Sequence, residues 1–133
     1  MVRGAINLVR LDGVYAVVKL PRDLSLSDLF TPELIHSPFW TLTRTEDELS
    51  LVCLQSIAPT HCPSEKDWRI LKVLGPLDFS LTGILASLTE PLARAKISIF
   101  AISTFETDYL LVKESKIHES FEALKDAGFG FKI

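Results

Sequence analysis

Three short runs hold most of the side chains with chemical potential in this sequence. They are GPLDFSLT at residues 75–82, STFETD at residues 103–108, and His61-Cys62 close to Glu65. In the first run, Gly75 and Pro76 end an apolar strand. Asp78, Ser80 and Thr82 then place small oxygen-bearing side chains where a helix begins and its first N–H groups lack partners. Such a corner can hold a carboxylate, while Asp78 or Asp108 offers a negative partner for an ammonium. Together these are the two halves of zwitterion recognition. The plainer reading is that Asp78 and Ser80 cap the helix and Asp108 sits in an exposed turn.

Phe105, close to Asp108, could stack on a guanidinium or cover an aliphatic side chain, or pack on its own core. Ser98 stands on an otherwise apolar strand and faces either a neighbouring helix or a partner subunit across a sheet edge. The third run is poor metal chemistry: zinc needs about four well-placed ligands, and Cys53, His36 and His118 are not at recognised spacings from His61-Cys62. No Gly-x-Ser-x-Gly elbow, phosphate-binding Gly-Lys-Ser/Thr loop or obvious carboxylate pair is present, so the residues point away from catalysis and imply no cofactor.

The elements that must position these residues are clearest in the second half. Apolar spacing predicts a strand over 68–74, a helix over 82–96, strands over 97–103 and 107–113, a helix over 115–127 and a short strand over 129–132. Ile84, Leu85, Leu88, Leu92 and Ala95 make one face of the first helix, and Ile117, Phe121 and Leu124 one face of the second. Pro91 should kink the first helix, or restart it with Thr89 as a new cap. Gly128 lies where a left-handed C-cap belongs. Strand, helix, strand, strand, helix, strand packs as an α+β, ferredoxin-like βαββαβ unit with an antiparallel sheet and both helices on one face.

The first half reads as a shorter version of that plan. Residues 5–20 are two alternating runs joined at Asp12-Gly13, which predicts a hairpin. A short helix follows over 22–30, with Ser25 or Ser27 as its cap, ended by Pro32. Strands over 39–44 and 48–55 form a second hairpin around Thr45-Glu46-Asp47, and residues 56–67 read as a loop with at most one helical turn. The second helix of this half is missing or degenerate, and the strand over 5–11 has no derivable place in the sheet. The expected units are 1–62 and 63–133.

Composition sets the outer bounds. With 133 residues, 47% apolar and 23% charged, the chain can bury a core and fits the soluble globular range. Its net charge of -3, with lysines and arginines scattered among acids, leaves no basic stripe for nucleic acid. No apolar stretch approaches a membrane span and no signal-peptide core is evident, so the cytoplasm is the expected location. Two sparse cysteines in such a chain read as free thiols.

The run GPLDFSLTGILASLTEPLARAKISIFAISTFETDYLLVKE resembles ACT domains of the aspartokinase-like type, in particular the small two-ACT bacterial proteins and the CASTOR arginine-sensor family. The likeness extends from INLVRLDGVYAVV through FWTLTRTEDELSLVC to the last helix. It is strongest at Trp68, at the PLA of residues 91–93 and at STFETD. It implies two ACT units in tandem and a non-catalytic regulatory protein that binds a free amino acid at an ACT–ACT interface. By the same resemblance, Ser98 and Ile99 on a strand and Thr104, Phe105 and Asp108 in a loop contact the ligand, and the turn through Gly75, Leu77 and Asp78 closes over it. Sensors of that type carry two such halves in a longer chain, so one half alone implies a homodimer. A ligand-free dimerisation module is the alternative.

Overall fold

A computed structural model describes residues 6–74 and 83–132. The elements in chain order are β1 (Asn7–Arg10), β2 (Tyr15–Leu20), α1 (Leu26–Leu29), α2 (Pro32–Ile35), β3 (Thr41–Arg44), β4 (Leu49–Leu54) and β5 (Ser64–Val73). They continue with α3 (Ile84–Arg94), β6 (Ile99–Ser103), β7 (Asp108–Lys113), α4 (Ile117–Asp126) and β8 (Gly130–Lys132). Two compact units divide the chain: Gly13–Trp68, and Met1–Asp12 with Arg69–Ile133.

In the Gly13–Trp68 unit the strand order is β3-β4-β2-β5, with only the first residues of β5 taking part. β2 lies between two neighbours and is buried along most of its length, so Ala16, Val18 and Leu20 enter the core with Leu49, Leu51 and Cys53 of β4. The helical segment covers them with Leu29 and Leu34. It is two single turns rather than one helix. Pro32 does not merely end the first turn but occupies the opening position of the second, where its missing N–H is harmless. Thr31 caps that turn, its hydroxyl accepting from the Leu34 N–H at 3.3 Å, whereas Ser25 at the start of α1 makes no side-chain cap.

The β3–β4 hairpin forms as its alternation predicts, with Arg44 opposite Leu49. Thr45 organises its turn by accepting from the N–H groups of Asp47 and Glu48, both at 3.1 Å. A single 3-10 turn, Gln55–Ile57, stands where a second helix would follow β4.

In the other unit β6 pairs with β7, and β7 with β5. α3 buries Ile84, Leu88 and Leu92 and α4 buries Leu124, all in one core with Leu8, Leu71, Val73, Leu110 and Val112. Ala95 is exposed at the end of α3, and Ser87 and Pro91 are buried on that helix instead. Pro91 does not restart α3. The helix is continuous through it, the Thr89 hydroxyl bonds back to the Ala86 carbonyl at 3.3 Å, and losing one N–H near the last turn is offset by burying the ring.

Both helices end in the same double bond pattern, in which a residue in the left-handed region reverses the chain. In α4 this residue is Gly128, at φ +100°, with Gly128 N–H to the Lys125 carbonyl at 2.9 Å and Phe129 N–H to that of Leu124 at 3.0 Å. In α3 it is Lys96, at φ +61°, with bonds to Ala93 at 2.9 Å and, through Ile97, to Leu92 at 3.0 Å.

Two expectations about the strands fail. The runs either side of Asp12-Gly13 are strands, and Gly13 adopts φ +97°, but β1 and β2 do not pair as a hairpin. β2 pairs with β4 and with the first part of β5. β1 pairs antiparallel with the last part of β5, Leu8 opposite Val73, and parallel with β8, Leu8 opposite Phe131. The strand without a place thus belongs to the later unit, which is why the compact units differ from a division at residues 62 and 63. Alternation sets which face a strand buries, not which neighbour it takes.

The second failure is the loop over 56–67. β5 already starts at Ser64. Its first residues escape notice because Glu65, Lys66 and Asp67 are all exposed, so backbone pairing alone, such as Val18 opposite Ser64, makes them a strand. Cys53 and Cys62 are free thiols. Among the described residues no helix is long and apolar enough to cross a membrane.

Candidate functional site

The loop between β6 and β7 is held shut by its own threonines. The Thr104 N–H and hydroxyl both reach the Thr107 carbonyl, at 2.9 and 3.1 Å. The Thr107 hydroxyl is buried and donates to the Val73 carbonyl at 2.6 Å, which ties the loop to the end of β5. A hydroxyl buried in this way must find an acceptor, and here the acceptor sets the position of the loop.

This tie creates a cleft of about 250 Å³, lined by Lys72 and Leu74 of the β5 end, by Thr104, Phe105, Glu106 and Thr107, and by Tyr109 of β7. Phe105 stands 80% exposed at its mouth, far more than a core aromatic. Leu74 is also an exposed large apolar side chain. The cleft therefore offers an apolar wall, hydroxyl groups, one cation in Lys72 and one carboxylate in Glu106. A molecule bearing both charges and a short side chain meets a partner for each part there.

The eight residues singled out in the sequence are placed as follows. Thr104 and Phe105 line the cleft. Asp108 opens β7 beside it, half-buried, and its Oδ1 accepts from the Ser103 hydroxyl at 2.5 Å. Ser98 is exposed just before β6, and Ile99 opens that strand opposite Val112, whereas Ser103 closes it opposite Asp108. The two groups are thus separated by the length of β6, about 13 Å at the usual strand rise. Gly75, Leu77 and Asp78 lie outside the described residues.

β6 pairs only with β7 among the described residues, so Ile99 sits on a sheet edge, with Ser98 just ahead of it. Such an edge presents N–H and C=O groups to whatever comes alongside.

Lys72, Leu74, Glu106, Thr107 and Tyr109 were not singled out in the sequence. Glu106 and Thr107 lie inside the STFETD run and could have been taken with it. Lys72 and Tyr109 carry no such signal, because their membership depends on β5 and β7 pairing. Among the described residues no group of three or more His, Cys, Asp or Glu side chains is placed to hold a metal ion.

A family model for the ACT domain matches residues 63–126. The human protein named cytosolic arginine sensor for mTORC1 subunit 1 is 44% identical over 130 residues, covering 91% of this chain and 38% of that protein. The chain therefore spans well under half the length of the curated relatives it matches. A crystal structure of an Agobacterium tumefaciens protein superposes with a TM-score of 0.85 at 33% identity, over 96% of this chain and 92% of the other. The structure of aspartokinase alpha and beta subunits superposes with a TM-score of 0.63 at 14% identity, over 92% and 95%. That likeness is one of fold.

Proposed function

The chain belongs to the ACT-domain family, and from that premise we propose that it is a small non-catalytic regulatory protein of the aspartokinase-like type that binds a free amino acid. The ligand occupies the cleft at the end of β5, and a second copy of the chain supplies the outer wall. The two compact units are read as tandem ACT units, the earlier one lacking its second helix.

The observation that carries this reading is the cleft itself, in which the Thr104–Thr107 loop is tied to β5 and opposite charges stand on Lys72 and Glu106. Ionised groups on both sides suit an α-carboxylate and an α-ammonium, and charge-assisted bonds are the stronger kind. The name of the human relative, an arginine sensor, supports an amino acid as the ligand class. Ile99 on the β6 edge and Ser98 just ahead of it, with Thr104, Phe105 and Asp108 at its far end, are consistent with a site completed across a dimer interface. Gly75, Leu77 and Asp78 are assigned to its cover through the family resemblance.

Titration calorimetry with a panel of free amino acids tests the proposal, on protein that gel filtration shows to be dimeric. Saturable heat with at least one amino acid is expected. Absence of heat with every one, on folded dimer, overturns ligand binding and leaves a dimerisation module.

A further inference from the structure

A second cleft, of about 410 Å³, shares no lining residue with the first and lies on the same unit. Its apolar part is Val9 of β1, Phe121 of α4 and Phe131 of β8. The two phenylalanine rings meet edge to face, with centroids 4.7 Å apart and planes at 76°. Both rings are only half-buried, so part of this aromatic surface is left open to the cleft.

Around that floor stand Arg10, Lys125 and Lys132, with Asp12 as the lone acid. Among the described residues none of these three cations takes part in an ion pair, although the exposed Arg94 and Lys116 do. Lys125 lies in the last turn of α4, where a cation is favoured by the helix dipole whatever else it does. Arg10 and Lys132 are on strands and have no such role. A local excess of positive charge over a low-dielectric floor is unexpected on a chain of net charge -3, and such a site concentrates anions.

We propose that this cleft binds a small organic anion with an aromatic or branched apolar body. Three cations disfavour a neutral or cationic ligand. The phenylalanine floor disfavours a bare inorganic ion, which would have nothing to place there. The volume falls within the roughly 300 to 1,000 Å³ usual for small-molecule sites. An acidic peptide could instead add as a strand beside β8, which pairs only with β1 among the described residues. The acidic side chains of such a peptide would leave the phenylalanine floor uncovered, however, which favours the small anion with an apolar body. This site is independent of the amino-acid cleft, and neither reading depends on the other.

The test is an amide NMR titration of the full chain with 3-phenylpropionate, and with 3-phenylpropan-1-amine as the cation of the same shape. Inorganic phosphate and a tetraglutamate peptide complete the set. The expected result is saturable shifts at Val9, Phe121, Phe131 and Lys132 with phenylpropionate, and binding of the amine at least about tenfold weaker. The double variant Lys125→Glu with Lys132→Glu should lose about tenfold or more while its other resonances stay in place. Equal binding of the amine overturns the proposal, as does saturation by phosphate or tetraglutamate alone. Shifts confined to residues 103–108, or none with phenylpropionate up to about 10 mM, also overturn it.

Discussion

The carboxamide of Gln55 grips Asp67 twice: its Oε1 accepts from the Asp67 N–H at 2.7 Å and its Nε2 donates to Oδ1 at 3.1 Å. Asp67 lies within β5 at φ +67°, a left-handed conformation in the middle of a strand. For a non-glycine residue that conformation costs about 1 to 2 kcal/mol, and the Gln55 bonds offset it. They also bring the 3-10 turn after β4 against the first part of β5.

Gln55→Ala should therefore lower unfolding stability by about 1 kcal/mol. Asp67→Gly should be milder, because glycine keeps the N–H bond and takes the positive φ without strain. Urea denaturation of the two variants side by side checks the order. A Gln55→Ala protein as stable as the parent would show that the strand holds this conformation unaided.

Lys96 and Gly128 occupy the same position at the ends of two helices, one with a side chain and one without. Lys96→Gly should stabilise the protein by up to about 1 kcal/mol, since strain relief exceeds the entropy that glycine adds to the unfolded chain. Gly128→Ala should destabilise it by about 1 to 2 kcal/mol. Thermal unfolding monitored by circular dichroism would show opposite shifts in midpoint.

Asp108 is held by the Ser103 hydroxyl beside the cleft at the β6–β7 loop. If its carboxylate pairs with the ligand's ammonium, Asp108→Ala should weaken binding by about 2 kcal/mol or more in calorimetry. An unchanged affinity would remove Asp108 from the site and leave Glu106 as the acidic partner.

Burial of the Cys53 thiol raises its pKa from the ordinary 9.0 to about 11. The unfolded chain loses this proton first, so stability should be level below about pH 9 and fall as the pH rises towards about 11. The slope from this group is at most about 1.4 kcal/mol per pH unit. Comparing unfolding at pH 8 and 10.5 for the parent and Cys53→Ala isolates it, since the variant should lose that part of the slope. At pH 8 an aromatic disulfide reagent should react with Cys62 and spare Cys53 until the protein unfolds. Prompt reaction of both thiols would contradict the burial.

Much of the fold was legible because it is written locally. The faces of α3 and α4 follow from apolar residues at steps of three and four, the β3–β4 turn from Thr45 and its neighbours, and the end of α4 from Gly128. Lys96 performs the same reversal without a glycine to announce it, and the exposed charges of Glu65, Lys66 and Asp67 conceal the first part of β5. In the cleft, Thr104 and Phe105 were reached through the resemblance at STFETD, whereas Lys72 and Tyr109 were not.

By itself the sequence determined the α+β class, the strand and helix order of the later unit, and the family. The class and the order of the later unit rest on periodicity and turn chemistry within a few residues, the family on the resemblance carried by runs such as STFETD. Only the tertiary structure decided that β1 joins β5 and β8 instead of folding back on β2, and that Thr107 ties its loop to Val73 so that Lys72 and Tyr109 share one cleft. The reason is physical: an alternating strand specifies which side faces the core, while its neighbour is chosen by competition among edges distant along the chain.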